Sequence, residues 1–396
     1  MVSSAEEVLD AIKNKEIFEL GNSLSSLVLR SSFSGNAPVE NISRALEGNN
    51  RLTTLNINYN DITHEGATSI AKALQANSTL QNLHLYFNDL GNEGSQILLE
   101  ALQFNSSLKH LDIGGNKISE HPLRSLQINS TLASLGLSYN KLKSLESLPG
   151  LLQVYSGLTH INLSFNKLGH LGATAISHIL LENSTLRELK LNFCEISEGV
   201  EVISEALYTN SHLQTLTLAG NNIGDQGAVA IAQTLTRNHG LSTLNLENNG
   251  INKGAKAIAL SLRQNMTLTS LDLNSNQFVP EEVELFESLE YNNTLSNLNI
   301  ARNAVKDVDH ILKYLKKNVT LLTLTIDNNP SLNAMQTIMF ENKKERRIRA
   351  WPKTHRQFAI NDQANIENLL IVFKTYGIPN DLFHYFITIY FAISHK

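Results

Sequence analysis

The sequence predicts an α/β solenoid in which parallel strands form the concave face and helices form the convex face. A nine-residue pattern, Leu-x-x-Leu-x-Leu-x-x-Asn, recurs in twelve copies that begin 24 to 28 residues apart. The segments between copies have the composition of helices, as in EGATSIAKALQAN at 65–77. A fixed period of this length is typical of stacked units, because one unit cannot bury its apolar face alone.

Each copy of the pattern predicts one short strand. The residues three and five places after the first Leu are apolar in every copy, as in Leu83 and Leu85. This alternation is typical of a strand with one buried face. We take the residues four and six places after the first Leu as the outward, concave side. The first Leu of each copy stands at positions 24, 52, 80, 108, 132, 158, 186, 213, 241, 268, 295 and 321.

Two sets of asparagines follow the same period. One set closes the pattern eight places after the first Leu, with Ser32 and Cys194 replacing it in two copies. An inward Asn there can bond to the turning backbone of neighbouring coils. The second set ends the helical segments, where we expect the left-handed conformation that Asn tolerates. The first set is Asn60, Asn88, Asn116, Asn140, Asn166, Asn221, Asn249, Asn276, Asn303 and Asn329; the second is Asn77, Asn105, Asn129, Asn183, Asn210, Asn265, Asn292 and Asn318.

This pattern resembles the leucine-rich repeat family, and its units of 27 to 28 residues resemble the ribonuclease-inhibitor-like subclass. The resemblance covers roughly residues 23–332 and implies a right-handed horseshoe. The Asn- and Ile-rich, Cys-poor repeats also resemble, in style, the leucine-rich-repeat effectors that intracellular bacteria deliver into host cells. That resemblance implies a protein partner in a eukaryotic host.

Departures from the repeat predict the domain organisation. The unit that contains Pro149 should have a short or distorted convex segment, because proline interrupts a helix. An open solenoid end exposes its core and needs a cap. The predicted parts are an N-terminal helical cap at 1–22, repeats at 23–332, a basic linker or closing cap at 333–350, and a helical C-terminal module at 351–396. The buried side of the N-terminal cap is predicted to carry Val8, Leu9, Ile12 and Ile17.

Composition limits the classes of function. The net charge of −5 argues against a general nucleic-acid binder. The single cysteine fits a reducing compartment. The N-terminus does not resemble a secretory signal peptide, and the apolar stretch at 382–393 is too short for a membrane span. We therefore expect a monomer without a membrane span that works in a cytosol, including a host cytosol reached by bacterial secretion.

Several candidate chemical sites are explained better by the repeat. Seven glycosylation sequons fall on the helix-ending asparagines, so we expect no glycosylation. Cys194 occupies the inward Asn position, which favours a structural role over a nucleophile. On the concave side, His84, His110 and His160 lie in different repeats, and His110 and His160 should be about 10 Å apart. We predict no catalytic residue, no cofactor and no metal site.

The strand face offers the candidate partner-binding residues. Aromatic residues occupy position seven after the first Leu in the first half of the chain, and smaller or polar residues occupy it in the second half. Such a row could be a binding ridge, or it could shield the turn that follows the strand. The predicted binding residues are Tyr59, His84, Tyr86, Phe87, Tyr139, Phe165, Lys190 and Phe193.

The C-terminal residues suggest a second partner. The basic run at 343–356 could be a nuclear address, a phosphate-binding patch or a solvated linker. Beyond it, two predicted helices are loosely similar to F-box and SOCS-box helices, which attach substrate-binding repeats to a ubiquitin ligase. The residues that carry this resemblance include Trp351, His355, Pro379 and Leu382.

Three functions remain open from the sequence. The first is a non-catalytic protein-interaction scaffold that acts through its concave face. The second is an adaptor that recruits a ubiquitin ligase through the C-terminal module. The third is a GTPase-activating protein of the Ran-regulating type, which shares the repeat subclass but ends in an acidic tail, whereas this chain ends in a basic one.

Overall fold

The computed structural model describes most of the repeat region. The described residues are 1–16, 18–21, 23–119, 122–123, 131–146, 148, 157–278, 284–303, 313–326, 337–338 and 342. The predictions for Ile17, Asn129, Pro149, Asn329 and residues 343–396 lie outside these ranges. None of the described helices is long and apolar enough to cross a membrane.

The described strands form one parallel sheet of twelve strands, in which each strand pairs with the next along the chain. The pattern holds the register, because the central apolar residue of one strand pairs with that of its neighbour, as Leu55 does with Leu83. The strands are β1 (Ser26–Val28), β2 (Thr54–Asn56), β3 (Asn82–His84), β4 (His110–Asp112), β5 (Ser134–Gly136), β6 (His160–Asn162), β7 (Glu188–Lys190), β8 (Thr215–Thr217), β9 (Thr243–Asn245), β10 (Ser270–Asp272), β11 (Asn297–Asn299) and β12 (Thr323–Thr325). The predicted α/β solenoid, with a parallel sheet on one side of the core and helices on the other, is confirmed.

Within the described residues, nine α-helices accompany the strands. Helices of successive coils pack side by side on the other side of the core. They are α1 (Ala5–Lys13), α2 (Ala37–Glu47), α3 (His64–Ala76), α4 (Gly91–Ala101), α5 (Gly169–Glu182), α6 (Val200–Thr209), α7 (Gly224–Leu235), α8 (Ala255–Leu262) and α9 (Glu284–Tyr291). A 3₁₀ turn at Leu102–Phe104 extends α4. The unit after β5 buries Leu142, Leu145 and Leu148.

The core lies between the sheet and the helices. Each strand contributes its apolar residues, and each helix contributes one face. In α3 the buried residues Ala67, Ile70, Ala71 and Leu74 follow the spacing of a single helix face. At the N-terminus, α1 buries Val8 and Ile12, while Leu9 is partly buried against the same core. Ser4 and Glu7 form a capping box that begins this helix.

The asparagines that close the pattern connect adjacent coils. The Nδ2 of Asn88 donates to the carbonyl of Ile57 in the preceding coil at 3.1 Å. Its Oδ1 accepts hydrogen bonds from the backbone amides of Asn60 and Ile62, at 2.9 and 3.1 Å. One buried side chain therefore satisfies backbone groups of the turn that no strand pairing reaches.

The helix-ending asparagines also connect coils, but the predicted left-handed conformation is wrong. Asn77 is extended, with φ −88° and ψ 131°. Its Oδ1 accepts from the amides of Thr79 and Leu80, and its Nδ2 donates to carbonyls of the preceding coil. The side chain bridges two coils, and this bonding, rather than backbone tolerance, explains the Asn. Asn49 and Asn238, which were not singled out from the sequence, make the same kind of bonds.

Candidate functional site

Position seven after the first Leu has the left-handed backbone conformation throughout the described repeats. The aromatic residues there have φ between 51° and 60°, a region that Gly and Asn adopt most easily. In the other described coils the same position is occupied by Ser31, Gly115, Gly220, Asn248, Ser275 and Arg302. Aromatic side chains at this position work against the local conformational preference. We name the row Tyr59, Phe87, Tyr139, Phe165 and Phe193 the aromatic ridge.

The rings of the aromatic ridge are stacked on one another. The centroids of Tyr139 and Phe165 are 4.0 Å apart with an interplanar angle of 10°. Phe165 and Phe193 stack at 4.8 Å and 15°, and Tyr59 and Phe87 at 5.1 Å and 12°. The rings lie outside the buried core, and each side chain keeps 36 to 45% of its surface exposed.

The ridge stays continuous across a coil that contributes no aromatic residue at position seven. A Cβ added at Gly115 would lie 2.9 Å from the Cγ of Phe87, so the ring occupies the space that a side chain would need. Phe87 thereby approaches Tyr139, two coils away, to 5.5 Å. At the other end, the ring of Phe193 covers Gly220 in the same way.

The faces of the ridge rings are largely covered. The Arg30 guanidinium lies 4.6 Å from the ring centroid of Tyr59, and Tyr86 meets Phe87 edge-on at 4.6 Å. Stacked neighbours also cover one face of each other in the pairs Tyr59–Phe87, Tyr139–Phe165 and Phe165–Phe193. Sugars and nucleobases bind aromatic residues through open faces, so this geometry favours contact with apolar protein side chains.

A hollow lies on the concave face beside the ridge, at the centre of strands β3 to β7. Its floor lies around Gly136, next to the Asp112 carboxylate. The hollow is lined by polar side chains, including His84, His110, Asp112, His160, Glu188 and Lys190. Glu188 and His110 stand two places after the first Leu of their copies. They line the hollow because position two, like position four, lies on the concave side of each three-residue strand. Strand alternation predicts position two as an outward position in every coil, and from the sequence only His110 and His160 were assigned to the concave side at that position.

Electrostatics in the hollow are set by burial and short ion pairs. Burial raises the pKa of Asp112 above the usual carboxyl range, although the Gly114 amide donates to its Oδ1 at 3.0 Å. Burial, followed by the neighbouring imidazoles of His160 and His84, lowers the pKa of His110. The Lys190 ammonium lies 2.7 Å from the Glu188 carboxylate.

Tyr86 forms the border between the hollow and the ridge. Burial, followed by the hydroxyls of Tyr139 and Tyr59, raises its pKa to about 12. The ring packs over Gly114, where a Cβ would lie 2.7 Å from Cδ2. Of the predicted binding residues, His84 and Lys190 line the hollow, whereas Tyr86 contacts the ridge rings of Tyr59, Phe87 and Tyr139.

The structure supports the structural interpretation of Cys194. The residue is buried, its Sγ donates to the carbonyl of Leu163 at 3.3 Å, and burial raises its thiol pKa to about 12. A thiol with this pKa stays protonated and is a poor nucleophile at neutral pH.

The sequon asparagines that the structure describes have structural partners. They are buried, with 2 to 7% of their surface exposed. The Nδ2 of Asn292 donates to the carbonyls of Leu262 and Asn265. A glycan on that nitrogen would break such buried bonds. The acidic and histidine side chains of the described region form no group of three that could hold a metal ion.

Comparisons with known proteins agree with this architecture. The sequence model of the leucine-rich repeat matches seven segments, at residues 48–71, 76–96, 104–119, 158–177, 182–204, 209–232 and 264–281. A search of the curated proteins found no match.

Among solved structures, the chain is similar to TLR13 in the TLR13–ssRNA13 complex, with 20% identity and a TM-score of 0.55. That match covers 79% of this chain and 40% of TLR13. An internalin of Listeria monocytogenes matches at 19% identity and a TM-score of 0.45, covering 82% of this chain and 95% of the internalin. The actin-binding site 2 of leiomodin-1 matches 38% of this chain and 94% of its own length, at 23% identity and a TM-score of 0.35. Of these three similarities, the one to TLR13 has a TM-score above 0.5, and at 20% identity it indicates a shared fold alone.

Proposed function

We propose that this chain, as a leucine-rich-repeat protein, is a non-catalytic scaffold and binds a protein partner. The partner-binding surface would be the aromatic ridge together with the adjoining concave face. The observation that carries the proposal is the ridge itself, with five exposed, stacked rings held in a conformation that disfavours them.

The energetic cost of the ridge favours binding over a structural role. A non-glycine residue in the left-handed region costs about 1–2 kcal/mol relative to the right-handed one. Each of the five ridge residues carries this cost, as Ser31, Ser275 and Arg302 do at the same position, whereas Gly115 and Gly220 form the turn without it. Strain of this kind often concentrates at functional sites. Aromatic anchors in turn dominate the energetics of many protein interfaces.

The test is capture of proteins by the full chain, compared between two aromatic substitutions. Phe87→Ala with Phe165→Ala removes two rings from the ridge, and Phe104→Ala removes a ring that is 73% exposed on the 3₁₀ turn after α4. Wild type and Phe104→Ala should retain the same partner, identified by quantitative mass spectrometry, and the double variant should lose it. Equal capture by the double variant would contradict the proposal, provided that circular dichroism shows it folded.

The finer proposal is that the partner is a protein of a eukaryotic host and that the chain works as a bacterial effector in the host cytosol. It is supported by the similarity of the Asn- and Ile-rich repeats to such effectors. Capture from eukaryotic lysate should then yield a ridge-dependent partner, and lysate of bacterial cells should yield none. A ridge-dependent partner only in the bacterial lysate would reject the effector role while leaving the scaffold role intact.

The alternative proposal is an adaptor that recruits a ubiquitin ligase through residues 351–396. It is supported by the similarity of Trp351, His355, Pro379 and Leu382 to box-type helices. The full chain should then retain a cullin adaptor protein, and Leu382→Asp should abolish retention without affecting the ridge-dependent partner. Absence of a cullin adaptor from the wild-type capture would remove this alternative.

A further inference from the structure

We propose that the hollow beside the ridge binds a lysine or arginine side chain of the partner, while apolar residues flanking that side chain lie against the aromatic ridge. The inference rests on the proposed function and deepens it, because it names the chemistry of the partner segment. The residue that recognises the cation is Asp112.

Asp112 differs from the other carboxylates described on the concave face. Glu188 is paired with Lys190 at 2.7 Å. The Nδ2 of Asn274 donates to Glu247 at 2.7 Å, and the Nδ2 of Asn299 donates to Asp272 at 3.0 Å. For Asp112 the hydrogen bond seen at the carboxylate is the one from the Gly114 amide. In the described residues, no nitrogen of a Lys, Arg or His side chain lies within 4.0 Å of the Asp112 carboxylate, the limit for an ion pair.

A half-buried carboxylate without a cation is costly, because its surroundings solvate the charge poorly. The raised pKa of Asp112 has that cause. A basic side chain brought by the partner would offset the cost at the moment of binding. A charge-assisted hydrogen bond in a partly desolvated site is also stronger than a neutral one.

The position of the Asp112 carboxylate depends on a glycine in the next strand. Asp112 pairs with Gly136 in the sheet register, and a Cβ at Gly136 would lie 2.5 Å from the Asp112 Oδ1. The carboxylate therefore occupies the space that a side chain at Gly136 would need, and both residues line the hollow. Gly136 is three residues before Tyr139, so the floor lies at most about 10 Å along the chain from the ridge. A short peptide segment can therefore contact both.

The lysine and the second carboxylate that line the hollow are paired with each other, because the Lys190 ammonium lies 2.7 Å from the Glu188 carboxylate. Lys109, one residue before β4, is outside the lining of the hollow. Among the described residues that line the hollow, Asp112 is therefore the carboxylate without an ion pair, and this favours a basic partner residue over an acidic one.

Short random peptides displayed on phage, selected at neutral pH on the immobilised full chain, would identify the preferred ligand. We expect the enriched peptides to share a Lys or Arg with apolar neighbours. One enriched peptide, made with a fluorescent label, would then be titrated against the wild type, Asp112→Asn and Asp272→Asn. Asp112→Asn should weaken binding about tenfold or more, as expected for loss of a charged hydrogen bond. Asp272→Asn, six strands away in the sheet, should leave the affinity unchanged.

A second arm replaces the basic residue of the peptide by citrulline if it is arginine, or by norleucine if it is lysine. The neutral peptide should bind the wild type as weakly as the basic peptide binds Asp112→Asn. Enrichment of acidic peptides, absence of any enriched peptide, or equal affinity for wild type and Asp112→Asn would each overturn the inference. Peptides that need the ridge but not Asp112 would overturn this inference alone and leave the proposed function standing.

Discussion

Replacing Phe165 by glycine and by alanine tests whether the ridge rings are held in a disfavoured conformation. Phe165 has φ 60° and stacks on Tyr139 at 4.0 Å and on Phe193 at 4.8 Å. Either substitution removes both stacked pairs, at a cost of about 0.5–1.5 kcal/mol for each pair beyond the lost burial. The two variants differ only in backbone preference.

In a helix or strand, glycine is less stable than alanine by roughly 0.5–1 kcal/mol. In the left-handed region the order reverses, because alanine keeps a penalty of about 1–2 kcal/mol that glycine does not pay. We therefore expect Phe165→Gly to be more stable than Phe165→Ala by about 1 kcal/mol. The native Gly115 and Gly220 occupy the equivalent position, so glycine fits this turn.

The assay is urea unfolding followed by far-ultraviolet circular dichroism, comparing the free energies of unfolding of the two variants. Phe104, exposed on a 3₁₀ turn, provides the matched pair, and there the glycine variant should be less stable than the alanine variant. If Phe165→Gly is no more stable than Phe165→Ala, the ridge carries no backbone cost, and the energetic argument for a binding role fails.

Two further substitutions and one thiol reagent test the roles of Asn221, Cys194 and Asp112. Asn221→Ala should lower the free energy of unfolding by about 2–5 kcal/mol in the same urea assay, because the buried amides of Cys194 and Ile196 lose their acceptor. A decrease below about 1 kcal/mol would contradict the role of the asparagine. The Cys194 thiol, with its pKa raised to about 12, should not react with Ellman's reagent until urea unfolds the chain, and rapid reaction with the folded protein would refute its burial. Burial raises the Asp112 pKa, so its protonated form is the one that the fold favours, and stability is lost as pH rises through the folded pKa. Asp112→Asn should therefore be more stable than the wild type at neutral pH, with the difference shrinking as the pH falls toward about 4, and a less stable variant at neutral pH would refute the sign.

The spacing of leucines and asparagines was sufficient to predict the sheet, the helices and the side on which each lies. These features depend on residues close together in the chain and repeat at one period. The conformation of Asn77 could not be predicted in the same way, because its role depends on carbonyls of the preceding coil. Local propensity indicated a left-handed residue there, and bonding between coils instead favours an extended one.

The candidate site was predicted as a set of residues but not as a geometry. The aromatic residues of position seven could be read from the sequence, yet their continuity depends on Phe87 lying over Gly115. The isolation of Asp112 is a property of neighbouring strands, since other carboxylates such as Asp272 find partners one coil away. No local pattern distinguishes these two aspartates, and the sheet register shows that Asp272, but not Asp112, has a side-chain donor in the next strand.

The hydrogen bonds of the asparagines that close the pattern allow the fold to evolve by gain or loss of whole coils. The Nδ2 of Asn60 donates to the carbonyl of Leu29, that of Asn88 to Ile57 and that of Asn116 to Leu85, each 31 residues back. In coils of other lengths the acceptor is still in the preceding coil, as for Asn140 and Ile113, 27 residues apart. Donor and acceptor thus recur with the coil, so gain or loss of one whole coil rejoins equivalent partners. Duplication of a coil that carries an aromatic residue would lengthen the ridge by one ring without disturbing the buried amides. The length of the aromatic ridge, and with it the proposed partner-binding surface, would then change by single genetic steps while the buried hydrogen bonds stay intact.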